Sequence, residues 1–173
     1  MIHKVLSVKQ PLAYLICSGI KDIENRTWKL PEKYKGERVL IHASGRRADF
    51  FKNPNWRLVG DELRKIPLKD FHIKDGLYSA IIGSVEIVDC VINHPSIWAE
   101  KTDLLGLSET YYKIYSSVIN VPPIIHNWVL SNPILFDKPI LNVKGKLGFW
   151  DYDLPEECDK HKQKQALIDM MIG

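Results

Sequence analysis

The chain has 173 residues, 45% hydrophobic and 26% charged, with a formal net charge of +3 and a pI near 8.7. This length and composition predict one globular domain that buries a full core without disulfides or a structural metal. The small positive excess permits a polyanionic partner without requiring one. The longest apolar stretches, such as Leu12 to Cys17, are far too short to span a bilayer, and the N-terminal residues do not resemble a secretory signal. We therefore expect no membrane partner and a cytoplasmic location.

The spacing of cysteines and histidines argues against a metal centre. The cysteines are odd in number and lie far apart in the sequence, at Cys17, Cys90 and Cys158. This pattern does not suggest a disulfide framework. The sequence has no CxxC pair and no HxxxH or HxxE spacing. The alternative is a site assembled from distant residues such as His42, Glu86 and His94, but isolated histidines are usually structural. We expect neither a metal nor another cofactor.

The first two predicted elements are a strand and a helix. Val5 to Val8 is short, apolar and β-branched in character, which is typical of a strand. Gln10 to Ser18 is predicted to be a helix with Pro11 at its first position. Its apolar side chains recur at helical spacing at Leu12, Leu15 and Ile16. Gly19 follows where a left-handed C-terminal cap is needed.

A second strand, predicted from Ile20 to Trp28, carries a group of charged residues. Because side chains alternate between the two faces of a strand, Glu24, Arg26 and Trp28 are expected on one face. Lys21 is expected at the mouth of the strand, just past the glycine cap. This segment therefore predicts a cluster of two cations and one carboxylate.

Residues 45–75 differ in kind from their surroundings. They are rich in charge and contain the turn sequence Asn53-Pro54-Asn55. One helix is predicted near Trp56 to Ile66, with an apolar side made by Leu58, Val59, Leu63 and Ile66. We interpret residues 45–75 as an insertion packed on the main domain, not as a separate domain.

The remaining elements complete an α+β pattern. Further strands are predicted at Arg38 to Ala43, Leu77 to Cys90, Trp128 to Leu130 and Pro139 to Val143, and a closing strand follows the turn at Lys144 to Trp150. Gly83 lies inside one of these strands and indicates a bulge or bend. Helices are predicted at Glu109 to Ser117 and Pro155 to Met171. Short strands mixed with a few helices indicate an α+β barrel, not the βα alternation of a doubly wound sheet.

One octapeptide, Gly19-Ile20-Lys21-Asp22-Ile23-Glu24-Asn25-Arg26, reads G-x-K-x-x-E-x-R and resembles the signature of the ASCH family. Other blocks resemble that family in the same order: Leu6 to Ala13, Val39 to Ser44, Ile82 to Asp89, Asn127 to Leu130 and Gly145 to Trp150. The resemblance covers most of residues 4–152 outside the insertion. It implies a PUA-like small β-barrel of five to six strands with flanking helices over residues 1–153, followed by a helical extension at 154–173.

The resemblance also implies a function, since many proteins of this superfamily bind RNA and some recognise modified bases. The chemistry of the motif agrees: Lys21 and Arg26 suit a phosphate, while Glu24 can accept a base amine or ribose hydroxyl. Trp28, on the same face, offers a stacking surface for a base. The alternative is an internal salt bridge between Glu24 and Arg26 or Lys21 that only holds the barrel mouth closed.

Five more residues are candidates for ligand contacts, each with a structural alternative. Gln10 either reads a base edge or caps the helix. His42 and Ser44 end a strand that should border the same cleft, although a lone histidine there is more often structural. Lys144 and Lys146 either contact phosphates or form ordinary exposed surface.

Two functions from different classes follow. The first is binding of RNA or single-stranded nucleic acid, or of a modified nucleoside, through the cleft lined by lysine, glutamate and arginine. The alternative is a hydrolase acting on a modified nucleoside or an RNA phosphodiester, with Lys21 and Glu24 as the catalytic residues. ASCH amidohydrolases of acetylated cytidine carry a threonine where this chain has Glu24, and Thr27 is the nearest hydroxyl. That difference counts against the deacetylase reading, so binding is preferred.

Overall fold

The computed structural model describes residues 2–49, 56–65, 77–118 and 121–154. Within these ranges the elements follow in the order β1 (Ile2–Gln10), α1 (Leu12–Cys17), β2 (Ile23–Arg26), a 3-10 helix (Glu32–Tyr34), β3 (Glu37–Arg47), α2 (Trp56–Lys65), β4 (Ala80–Val91), α3 (Glu109–Val118), β5 (His126–Ile140) and β6 (Phe149–Asp153). The helix predicted at Pro155 to Met171 lies outside the described residues. No helix in the described ranges has the length and apolar character to cross a bilayer.

The six strands form one mixed sheet in the order β2-β5-β4-β3-β1-β6. β1 and β3 are parallel, and every other neighbouring pair is antiparallel. The predicted α+β class is therefore confirmed, with the upper predicted number of strands. The closed barrel is not confirmed, because β2 and β6 are the two edges of the sheet and do not pair with each other in the described part of the chain.

The helix α1 is short and almost wholly buried. It begins one residue after Pro11, which is its N-cap rather than its first helical residue. The side-chain oxygen of Gln10 accepts a hydrogen bond from the backbone N–H of Tyr14 at 3.1 Å, and so satisfies one free donor of the first turn. The predicted left-handed turn is present at Gly19, whose φ is +78°.

Gly83 allows α1 to lie tightly against β4 and β5. A Cβ at this position would lie 2.7 Å from the sulfur of Cys17 and would overlap the carbonyl oxygen of Ile134. The register between β4 and β5 also shifts between Ile81 and Gly83, so the predicted irregularity is present.

Two predicted strands differ from those observed. β2 is shorter than predicted because the N–H groups of Ile20 and Lys21 both bond to the carbonyl of Leu15, which ends α1 and delays the strand. β5 runs unbroken from His126 to Ile140, where two separate strands were predicted. Pro133 and Pro139 both lie inside β5, although proline is usually confined to the edges and ends of strands.

The sheet has a hydrophobic cluster on each face. The larger cluster contains α1 and Trp128, and Val59 of α2 is buried in it. The smaller cluster joins Val5, Leu40, Val143 and Trp150 on the other face. Leu58 and Leu63 of α2, two more residues of its predicted apolar side, pack against the larger cluster, whereas Ile66 lies outside the described residues.

Candidate functional site

Lys21 is held inside the protein by the end of α1. Its backbone N–H donates to the carbonyl of Leu15 at 2.9 Å, which fixes the residue just past Gly19. Its side chain is only 4% exposed, and its ammonium donates to the carbonyl of Ile23. The ammonium lies 3.7 Å from Oε2 of Glu24. Lys21 is thus a buried cation with a carboxylate partner.

Arg26 connects this buried pair to the surface. Its Nε lies 2.9 Å from Oε1 of Glu24, whose side chain is 8% exposed, while the Arg26 side chain is 23% exposed. Its Nη2 donates to the carbonyl of Ser7 on β1 at 2.9 Å. Lys21, Glu24 and Arg26 therefore come together as predicted, and both salt bridges of the structural alternative are also present.

A small pocket of ≈ 60 Å³ lies beside this charged array. It is lined by Leu12, Lys21, Glu24, Asn25, Val59, Trp98 and Glu100. A volume of this size holds a few water molecules and is well below the roughly 300–1,000 Å³ of typical small-molecule pockets. A nucleobase could enter only after the apolar walls, Val59 and Trp98, move apart.

Glu100 and Asn25 are pocket residues that were not predicted. Asn25 was expected on the opposite face from Glu24, but its Nδ2 donates to the carbonyl of Trp98 at 2.9 Å. Its Oδ1 accepts from the N–H of Glu100 at 3.1 Å and from Asn127 at 2.9 Å. The loop that carries Glu100 is thus anchored to the motif strand. No spacing in the sequence reveals this, because the residues are 75 positions apart.

Burial shifts the protonation of the pocket in two directions. Burial lowers the pKa of Lys21, and the nearby carboxylates of Glu24 and Glu100 oppose that shift. Burial raises the pKa of Glu100, with Lys21 opposing and Glu24 adding to the rise. Burial therefore disfavours the charged form of both the Lys21 amine and the Glu100 carboxyl.

Trp28 lies just beyond β2 and packs against other aromatic rings. Its ring makes edge-to-face contacts with Trp128 at 4.5 Å and with Phe149 at 5.8 Å between centroids. It is half-buried and packs against the larger cluster. Gln10 is fully buried, and besides capping α1 it donates to the carbonyl of Leu77 at 3.2 Å. The structural alternative for Gln10 is thus the one observed.

The other predicted contact residues do not line the pocket. His42 is buried, and its ring lies between the hydroxyl of Ser7 and the carbonyl of Val143. Ser44 is half-buried on the same strand, whereas Lys144 and Lys146 are exposed in the segment between β5 and β6. In the described ranges no three histidine, cysteine or acidic side chains are grouped as metal ligands.

The described strands form a six-stranded mixed sheet with a few helices, and the buried Lys21 and Glu24 and the partly exposed Arg26 follow the first helix. The profile of the ASCH domain matches residues 6–140, so the chain belongs to the ASCH domain family. Domains of this family are generally RNA-binding. No curated protein sequence matches the chain.

Solved structures similar to this chain include the ASCH protein from Zymomonas mobilis, with 18% sequence identity, coverage of 92% of this chain and 93% of the other, and a TM-score of 0.47. Two mutant forms of that protein are also similar, each at 17% identity. One covers 96% of this chain and 94% of its own with a TM-score of 0.45, and the other covers 92% and 96% with a TM-score of 0.46.

Proposed function

We propose that this domain binds single-stranded RNA and receives one nucleotide, a modified base in particular, in the cleft formed by Lys21, Glu24 and Arg26. The observation that carries the proposal is the position of Arg26, which links a buried polar pocket to the surface. The Nε edge of its guanidinium group lies against Glu24, and the partly exposed remainder of the group is available to a phosphate. A nucleotide can contact both the guanidinium group and the pocket, since its phosphate is charged and its base is largely apolar.

The pocket offers both polar and apolar contacts to a base. Glu24 supplies carboxylate acceptors of the kind that read base edges, where a good bidentate contact gives about 1–3 kcal/mol of discrimination. Val59 and Trp98 provide apolar walls on which a base can pack once they separate. Because the pocket of ≈ 60 Å³ is far smaller than a typical ligand pocket, a base has to displace these walls to enter it.

Hydrolysis of a modified nucleoside is the second candidate. It is favoured by the opposed pKa shifts of Lys21 and Glu100, which place a potential base and a potential acid in one pocket. Glu24 lies 3.7 Å from the Lys21 ammonium and would relay a proton. The Thr27 side chain is exposed and so does not replace a nucleophilic hydroxyl in the pocket. In such a hydrolase, Lys21 or a water molecule would attack the modified nucleoside.

Fluorescence anisotropy with labelled single-stranded RNA, at two salt concentrations, tests the binding proposal. We expect Arg26→Ala to weaken binding by tenfold or more, because a hydrogen bond to a charged group is worth about 1.5–3 kcal/mol. A matched control replaces two exposed lysines that pair within their own helices, Lys65→Ala with Lys113→Ala. Equal binding by the wild type and Arg26→Ala would overturn the proposal.

Mass spectrometry of the same mixtures, with oligonucleotides carrying acetylated cytidine, tests the second candidate. Product that disappears in both Lys21→Met and Glu100→Gln would make the domain a hydrolase. Unchanged oligonucleotides together with salt-sensitive binding would exclude the hydrolase and support the binding proposal.

A further inference from the structure

The segment between β5 and β6 lies on the sheet face opposite α1. Val143 from this segment packs with Val5, Leu40 and Trp150 in the smaller hydrophobic cluster. Gly145 then presses against the ring of His42, so closely that a Cβ would lie 2.7 Å from Nδ1 of the imidazole. Only glycine fits there without displacing the ring.

A polar network fixes this segment, and we call Ser7, His42, Val143 and Trp150 the clasp. His42 Nε2 lies 2.9 Å from the carbonyl of Val143, which can only accept, so Nε2 carries the hydrogen. Nδ1 then accepts from the hydroxyl of Ser7 at 3.2 Å. That hydroxyl in turn accepts from the indole N–H of Trp150 at 3.2 Å. The clasp thus uses every ring nitrogen and hydroxyl it contains.

A serine beside a histidine is also the arrangement of a nucleophile and its base. Here the hydroxyl is engaged by the indole, and a Cβ on Gly145 would lie only 3.1 Å from it. No room remains for a substrate carbonyl or phosphoryl group above Ser7. The network therefore serves to hold the backbone of residues 143–145.

The clasp orients two cations. Lys144 and Lys146 flank Gly145 and are exposed, and the ammonium of Lys146 lies 5.8 Å from the ring centroid of Trp150. By strand alternation, the residues that follow Ser7 and His42 on this face of β1 and β3 are Lys9, Ser44 and Arg46. Lys9 and Arg46 are exposed cations and form a strip of positive charge with the two lysines, while the acidic Glu86 further along this face is paired with Arg38.

Ser7 joins this strip to the cleft. Its side chain belongs to the clasp, and its carbonyl accepts from Nη2 of Arg26 at 2.9 Å. β6 pairs with β1 only as far as Leu6, which faces Phe149, so Ser7 lies just beyond the end of β6. Arg26 bonds to Ser7 at this point and also contacts Glu24, which lines the pocket, so it connects the pocket to the basic strip.

We propose that Lys144 and Lys146, presented by the clasp, bind two backbone phosphates of the single-stranded RNA whose neighbouring nucleotide enters the cleft at Arg26. This inference rests on the proposed function and names the path that the strand follows, across the end of β6 and over Ser7. It makes the domain an extended reader of several nucleotides, not a pocket for one free nucleoside.

The salt dependence of binding tests the path. Each phosphate contact to single-stranded nucleic acid contributes a slope of about 0.7 to the plot of log K against log salt concentration, so Lys144→Ala with Lys146→Ala should lower the slope by about 1.4. The control pair Lys65→Ala with Lys113→Ala removes the same charge from exposed positions elsewhere and should leave the slope nearly unchanged.

Gly145→Ala provides a second variant that keeps both lysines. It should weaken binding because the added Cβ displaces the backbone from His42, and a thermal unfolding curve reports whether the domain still folds. A slope unchanged by the double lysine variant, with binding still lost in Arg26→Ala, would overturn this inference and leave the proposed function standing. Absence of RNA binding by the wild type would overturn both.

Discussion

Asn25 and Glu100 are joined by two hydrogen bonds: the N–H of Glu100 donates to Oδ1 of Asn25 at 3.1 Å, and Nδ2 of Asn25 donates to the Glu100 carboxylate at 3.4 Å. The second acidic residue of the pocket therefore depends on the motif asparagine for its position. An amide suits this role because it donates and accepts at once.

Replacing Asn25 by alanine should destabilise the domain by roughly 3 kcal/mol, since each buried partner left unsatisfied costs about 1–3 kcal/mol. The partners affected are the carbonyl of Trp98, the N–H of Glu100 and the amide of Asn127. Urea unfolding measures the change. Thr27→Ala, at an exposed position two residues further along, is the control and should change stability by less than about 0.5 kcal/mol. A loss in Asn25→Ala no greater than in Thr27→Ala would contradict the role assigned to the amide.

Removing Glu24 should harm the domain more than removing its whole ion pair. Glu24→Ala leaves Lys21 buried near fewer carboxylates, and breaking a buried pair in this way costs about 3–5 kcal/mol. Glu24→Ala combined with Lys21→Met should regain much of that stability, because the buried cation is gone. Chemical denaturation of the single and double variants gives the comparison. A double variant less stable than Glu24→Ala alone would show that Lys21 stabilises the fold through other contacts.

Gly83→Ala should destabilise the domain by about 1–3 kcal/mol, because the added methyl group overlaps Ile134 and crowds Cys17. Gly60→Ala is the matched control, since Gly60 lies in α2 with no atom near its missing side chain. That change should instead stabilise the protein by up to about 1 kcal/mol through helix propensity. Thermal or urea unfolding distinguishes the two signs, and equal effects would mean that α1 can shift away from β4.

Acid should weaken the domain partly through His42. Burial lowers the pKa of this imidazole below its ordinary 6.5, although its bond to Val143 opposes the shift. Between the lowered value and pH 6.5 the unfolded chain binds more protons than the folded one, so stability falls as the pH drops below 6.5. Urea unfolding from pH 8 to pH 5 should show this loss, and His42→Gln should reduce it. Some loss should remain, because burial lowers the pKa of His126 as well. An identical pH profile in His42→Gln would exclude the imidazole as a source.

Local features of the fold could be read from the sequence with good success. The turn at Gly19 needs a left-handed conformation, and the apolar spacing of α2 correctly placed Val59 in the core. β5 was predicted as two strands because its continuity comes from pairing with β4, which is distant in the chain and leaves no local signal. Barrel closure is likewise a property of strands far apart in the chain, and no local pattern determines it.

The candidate site shows the same division. The motif residues Lys21, Glu24 and Arg26 lie within six positions, so their proximity follows from the short segment that joins α1 to β2. Glu100 enters from a loop that only the fold brings near. His42 was predicted to border the cleft, but the alternation of β3 places it on the sheet face opposite α1, where the segment after β5 packs.

The pairing of β1 with β6 has a consequence for biosynthesis. Ser7 and Trp150 are 143 positions apart, and β6 covers one edge of β1. During synthesis, the nascent chain therefore exposes an unpaired edge of β1 until residues 149–153 emerge from the ribosome. Strand edges of this kind are sites of wrong pairing, and long-range pairing slows folding. Completion of the domain, and with it the clasp at Ser7, must await the last strand of the sheet.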